Sequence, residues 1–211
     1  LVLDQLKVKE YKKLMLGLVL GGISSAAAAQ EVGSESAEYR GSWGASGEVI
    51  NFNADIAAAN GISDSGFGLG VSYSGEKGLF NFNLGASFFF IDDEEEFSQR
   101  VEDWTGDEST EDSSIDAGSL YIDGGILYPV NTSGSFALGL NAGYRYFDID
   151  RGITNCRNCY SEDISIESDA YLKPFARFAF NESISGSLAY FSYTGDKGAE
   201  NSMQFEVKVR F

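Results

Sequence analysis

Residues 79–91 read LFNFNLGASFFFI. In an extended chain Phe80, Phe82, Leu84, Ala86, Phe88 and Phe90 fall on one side, and Asn81, Asn83, Gly85 and Ser87 on the other. Period two is the spacing of a β-strand, whose successive side chains point to opposite faces. The pattern returns downstream. Phe136, Leu138, Leu140, Ala142, Tyr144 and Tyr146 oppose Ala137, Gly139, Asn141, Gly143 and Arg145. Ile166, Ala170, Leu172, Ala176, Phe178 and Phe180 oppose Glu167, Asp169, Lys173 and Arg177. A chain made of such segments must cover one face of each, and what covers it decides the fold.

Alternation marks strands over 41–56, 66–74, 79–91, 115–128, 135–149, 164–180, 183–194 and 201–211. Their connections alternate in length. SGEKG, NTSG and NES are short; AAANGISDS, the acidic stretch 92–114, DRGITNCRNCYSED and GDKGAEN are longer. Short turns at one end and long loops at the other are the plan of a transmembrane barrel. A soluble β-sandwich also alternates, but its outward face would be rich in Lys, Glu and Thr. Here the less apolar face is mostly Gly, Ser, Asn and Ala, which suits the crowded inside of a narrow barrel. Aromatics gather near both strand ends, Tyr128, Phe136, Phe180 and Phe211 at one and Phe88, Phe90, Tyr144 and Tyr146 at the other, as interfacial girdles do.

The first residues have the three parts of a secretory signal. Lys7, Lys9, Lys12 and Lys13 are basic, Leu14 to Ile23 is a short apolar core, and Ala27–Ala29 offers a small-residue cleavage site. The expected division is a cleavable signal peptide at 1–29 and a barrel domain at 30–211. The apolar core is too short to span a bilayer, which takes about 20 residues. Residues 30–211 hold 11 basic against 30 acidic residues, a balance that argues against nucleic acid as a partner.

The C-terminal segment QFEVKVRF puts Phe205, Val207, Val209 and Phe211 on one side. It resembles the C-terminal targeting strand of Gram-negative outer-membrane proteins. With the leader and eight strands, the chain resembles the small outer-membrane barrels of the OmpA/OmpX type over essentially all of 30–211. The resemblance implies a closed, all-β, antiparallel, eight-stranded up-and-down barrel in the cell outer membrane. It implies outer-membrane lipid around the barrel, contact of the last strand with the barrel-assembly machinery, and a monomer. It names no subfamily.

The strand registers place Asp55, Asp123, Glu167, Asp169 and Glu206 inward with Arg145, Lys173, Arg177, Lys208 and Arg210. Side chains just fill an eight-stranded lumen, and unpaired buried charge is costly, so these groups are expected to pair as a polar plug. A narrow ion path is the alternative. The register of the first strand is ambiguous from Trp43 to Val49. Pro174 falls inside the sixth strand, where it forfeits a ladder bond, and a bulge or kink is expected near Lys173–Phe175.

Cys156-Arg157-Asn158-Cys159 is a C-x-x-C in a long loop. Zinc would need further ligands that the chain lacks, and in an exported protein a disulfide is the expected outcome. The stretch 92–116 carries twelve acids and one base. Such a run is usually solvated; weak Ca²⁺ capture through Asp92, Asp93, Glu94, Asp148 and Asp150, or attraction of a cationic surface partner, is the functional reading. No cofactor is expected.

Histidine is absent from all 211 residues. Known outer-membrane enzymes of the barrel type use a histidine, so no enzymatic activity is expected. The leading expectation is a structural or surface-interaction barrel; the alternative is a small porin or OmpW-like conduit for small solutes.

Overall fold

In a computed structural model the residues described are 38–102, 106, 108–153, 159–196 and 198–211. The signal-peptide reading of 1–29 lies outside them. Among the described residues the elements run β1 (Arg40–Phe52), α1 (Ala54–Ala59), β2 (Ile62–Lys77), β3 (Phe80–Asp93), β4 (Ser98–Glu102), β5 (Glu108–Asp112), β6 (Ser114–Pro129), β7 (Phe136–Gly152), β8 (Ser161–Asp163), β9 (Asp169–Ala179), β10 (Ile184–Tyr193) and β11 (Ala199–Arg210).

Eight long strands follow one another antiparallel in the order β6-β3-β2-β1-β11-β10-β9-β7, and β6 pairs with β7 to close the ring. The closing ladder is long, from Ser114↔Gly152 to Pro129↔Ala137. First and last strands meet from Ser42↔Arg210 to Asn51↔Asn201. Closure leaves no unpaired edge in the ring, the condition for a sheet in a bilayer. No described helix is long and apolar enough to cross a membrane.

The outward face is the apolar one. Phe80, Phe82, Leu84, Phe88 and Phe90 of β3, Leu138, Leu140, Tyr144 and Tyr146 of β7, and Phe205, Val207 and Val209 of β11 are exposed. Inward residues separate into two layers. Near the short turns they are polar: Asn81, Asn83, Asp123, Asn141, Lys173 and Glu206 are buried. Toward the long loops they are apolar: Ile50, Phe52, Phe89, Ile91, Phe147, Ile149, Phe191 and Tyr193 form one cluster with Ile62, Ile164 and Ile166. The polar plug expected from the sequence therefore occupies only part of the interior. Segments such as FFFI are apolar on both faces because one face meets the outside and the other a closed core.

Two strand boundaries differ from the alternation, and a charge expected in the lumen lies beyond each. The first strand stops at Phe52. Asn53 caps α1, its side chain accepting from the Asp55 and Ile56 amides at 3.1 and 3.2 Å, and the alanine run favours helix. Asp55 is thus exposed on a helix, not lumenal. The sixth expected strand begins at Asp169, not 164. The amide of Ile164 still donates to the Ile149 carbonyl of β7 at 2.8 Å, but the following residues leave the ladder until Asp169. Ile164 and Ile166 bury in the apolar cluster, which leaves Glu167 exposed, bridged to Gly198. At Pro174 the β9–β10 ladder lapses between Ala189↔Phe175 and Ser192↔Leu172 without a change of register. The bulge expected there is absent; a proline lacks the N–H, and the neighbouring pairs simply go unmade.

The short turns sit at one end. Gly78 and Gly134 adopt left-handed φ values of 62° and 66° there, the conformation glycine reaches without steric cost. At the other end the acidic stretch is not featureless: β4 and β5 pair from Ser98↔Asp112 to Glu102↔Glu108.

Candidate functional site: paired charges inside the barrel

The buried charges of the interior form linked groups, each assembled from strands far apart in sequence. Arg145 of β7 is 0 % exposed and Glu48 of β1 is 2 % exposed. The guanidinium is bidentate on Glu48, with Nη2–Oε2 at 2.9 Å, and Nη1 also donates to the Tyr193 hydroxyl at 2.6 Å. Ser202 and Gln204 of β11 donate to the same carboxylate. Four rings surround the cation, Phe191 and Tyr121 at 4.8 and 4.9 Å and Phe89 and Phe147 at 5.9 Å from their centroids. A planar, weakly hydrated guanidinium is the cation best suited to such a place.

Asp123 of β6 anchors the next group. It pairs with Lys173 of β9 and accepts from the Tyr171 hydroxyl at 2.9 Å and from the Asn83 and Asn141 amides. Glu206 of β11 accepts from Ser72 of β2 and pairs with Lys208 at 3.1 Å; Lys208 also donates to Asn83 at 2.9 Å. Near the short turns Glu76 of β2 pairs with Arg177 and, at 4.0 Å, with Arg210.

Glycines make the room. A Cβ at Gly44 would lie 2.5 Å from the Glu206 carboxylate and 2.6 Å from the Ser72 hydroxyl, and one at Gly85 would overlap the Tyr121 ring at 2.3 Å. The small residues read as lumen-facing are small because large partners on the next strands occupy their side-chain space.

Of the charges expected inward, Asp123, Arg145, Lys173, Arg177, Glu206, Lys208 and Arg210 take part in these groups. Asp169 shares the inward face with Tyr171 but is only half-buried, against Gly195 and Gly198. Asp55 and Glu167 stand outside, as described. Sequence reasoning missed Glu48 and Glu76. Glu48 sits where the first strand could not be phased, and its even-numbered partners Ser42, Ser46 and Ile50, all buried, are the signal that parity alone would have needed.

A second cluster ties the long loops together. Arg151 is 4 % exposed. It donates to Asp93 at 2.9 Å, to Glu162 at 2.8 Å and to the Asn60 and Gly61 carbonyls at 2.8 and 2.7 Å. The Tyr160 hydroxyl donates to Glu162 at 2.7 Å, and this bond, with the Arg151 bond, holds the Glu162 carboxyl below the usual carboxylate range. Beside it Val101 and Ile153 bury together against Phe97 and Cys159. Cys156, the other half of the expected disulfide, lies outside the described residues.

The residues read as calcium candidates are not brought together. Asp93 is held by Arg151 and Ser113; Asp92 and Glu94 are exposed beside it. Asp148 and Asp150 lie on the outward face of β7, beside Asp116 and Asp163. Among the described residues no group of three or more His, Cys, Asp or Glu is arranged to hold a metal.

Closed, antiparallel, apolar outside and filled inside, the architecture is that of the small eight-stranded outer-membrane barrels. No protein-family model matches the sequence, and no curated protein does. Among solved structures the chain is similar to Ail, the attachment invasion locus protein of Yersinia pestis, at 10 % identity over 84 % of this chain and 100 % of that one, with a TM-score of 0.49. Neisserial surface protein A is similar at 10 % identity, with the same shares covered and a TM-score of 0.47. So is the N-terminal barrel domain of Pseudomonas aeruginosa OprF, at 10 % identity over 82 % of this chain and 100 % of that one, with a TM-score of 0.47. At such identity the barrel assignment rests on the chain's own closed ladder.

Proposed function

We propose that the chain is a monomeric, non-enzymatic outer-membrane barrel with a structural or surface-interaction role. One observation carries this reading. Arg145 and Glu48, which the long way round the sequence separates by 97 residues, meet fully buried and bidentate in mid-lumen. A conducting pathway needs hydrated charges facing water. These face each other and aromatic rings, beneath an apolar layer. The lumen then serves to hold the wall rigid, and function falls to the long-loop end, where the acids concentrate and draw cationic partners or divalent cations weakly. The lack of histidine supports the absence of catalysis. Export by a cleavable leader over 1–29 and insertion through the barrel-assembly machinery, which would read Phe205, Val207, Val209 and Phe211, complete the proposal.

Planar-bilayer recording of the purified, refolded protein tests it. No discrete conductance steps are expected at moderate voltage. Reproducible single-channel steps, altered by Arg145→Gln, would support the porin-like conduit instead.

A further inference from the structure

The outward wall is not uniformly covered. Outward side chains of β9 run Ala170, Leu172, Pro174, Ala176 and Phe178. Two compact ones, Pro174 and Ala176, sit side by side where the β9–β10 ladder lapses. Around them stand Leu138 of β7, Leu188 and Tyr190 of β10 and Met203 of β11, all exposed. The result is an open notch of about 420 Å³, floored by the backbone at Gly139, Phe175 and Ala189. That volume falls within the range of ligand pockets, about 300–1,000 Å³. Its walls are almost wholly apolar, and the interior side chains behind it, Phe175 and Ala189, close it off from the lumen charges.

We propose that this notch holds one acyl chain of a glycerophospholipid; the proposal rests on the membrane-barrel reading. The notch is continuous with the apolar belt formed by Leu140, Leu172 and Phe178, so its surroundings are hydrocarbon and not water. A void left in that belt forfeits dispersion contacts on all its walls unless a flexible chain enters it. Polar occupants find no partner there but the Tyr190 hydroxyl. Leu138 places the lower mouth next to Phe136 and the short turn at Gly134. On the membrane-barrel reading the short turns face the periplasm, so this mouth meets the phospholipid leaflet, which selects a phospholipid over the lipid of the outer leaflet. Seating a chain there would also shield the strand pair that Pro174 leaves with fewer hydrogen bonds.

Native mass spectrometry tests this on full-length protein extracted from membranes in mild detergent. Wild type should retain a single phospholipid. Ala176→Phe, which fills the notch, should reduce the retained fraction at least about tenfold, the effect of some 1.4 kcal/mol. Leu120→Phe, on exposed β6, should leave retention unchanged. Heat-modifiable gel mobility reports folding of each variant; if Ala176→Phe does not fold, Leu188→Trp fills the notch from its other wall. A folded, membrane-inserted wild type that carries no lipid, or a folded Ala176→Phe that keeps it, overturns the notch alone. Retention of outer-leaflet lipid, or a second copy of the chain in its place, overturns the choice of occupant. A wild type recovered only as a soluble protein overturns the barrel reading, and the notch with it.

Discussion

Arg145→Leu should be the most damaging single change in the interior. It leaves the Glu48 carboxylate 2 % exposed with no cation, and removes both Arg145–Glu48 bonds and the bond to Tyr193. Removing one partner of a buried pair costs about 3–5 kcal/mol. The four ring contacts belong to the same cation and do not add in full, but they point to the upper end, about 5 kcal/mol. Replacing the pair together, Glu48→Leu with Arg145→Met, removes the uncompensated charge. It leaves Ser202, Gln204 and Tyr193 short of partners, at about 1–3 kcal/mol for a group left unsatisfied. The double variant should therefore be more stable than Arg145→Leu alone. Urea unfolding in micelles, followed by loss of the heat-modifiable band, gives both numbers. A loss under about 1 kcal/mol for Arg145→Leu, or a double variant worse than the single, would refute a dry, paired interior.

Leu140→Arg puts a cation on the outward face and should cost roughly 2–4 kcal/mol if it lies near the bilayer midplane; unchanged stability in the same unfolding assay would place Leu140 away from lipid. Deleting Phe211, the most exposed of the terminal apolar residues, should lower the amount of folded barrel in outer-membrane fractions, and a normal level would count against an assembly role. Glu162, with its carboxyl lowered first by Tyr160 and then by Arg151, should stabilise the loop cluster fully above the ordinary carboxylate pKa of about 4.3 and lose that contribution as pH falls through its own lower value. A carboxyl titration by NMR should show a midpoint below about 4.3 that rises in Arg151→Gln; a midpoint at or above it contradicts the pairing of Glu162 with Tyr160 and Arg151.

What the sequence makes legible is set by how local the cause is. The β3 and β7 registers follow from alternation alone, since Asn81 and Asn141 are small and polar where Phe80 and Leu140 are large and apolar. The wall at β1 is not legible in that way: Gly41 to Gly47 are small or polar on both faces apart from Trp43, so Glu48 had no phase. Asp55 was misplaced on two counts: Asn53 and the alanine run start a helix after Phe52, and the buried Glu48, Ile50 and Phe52 put the odd-numbered positions of this strand outward. Ile164 and Ile166 continue the pattern too, but burial at the top of the lumen outweighs the ladder there. Arg151 could not be found at all. Its partners come from three separate loops, and nothing near it in sequence announces them.

The central claim is that the chain crosses a bilayer with its alternate residues facing lipid and a filled interior. Spin labels placed one at a time along β3, with Cys156 and Cys159 replaced by serine, test it most directly in reconstituted vesicles. Labels at Phe82, Leu84 and Phe88 should be relaxed by oxygen dissolved in the bilayer and not by a water-soluble nickel chelate, while labels at Asn83 and Ser87 should be immobile and shielded from both. Nickel access at Phe82, Leu84 and Phe88, or equal nickel access at Asn83 and Ser87, would contradict the claim: the first removes the lipid, the second the sealed interior.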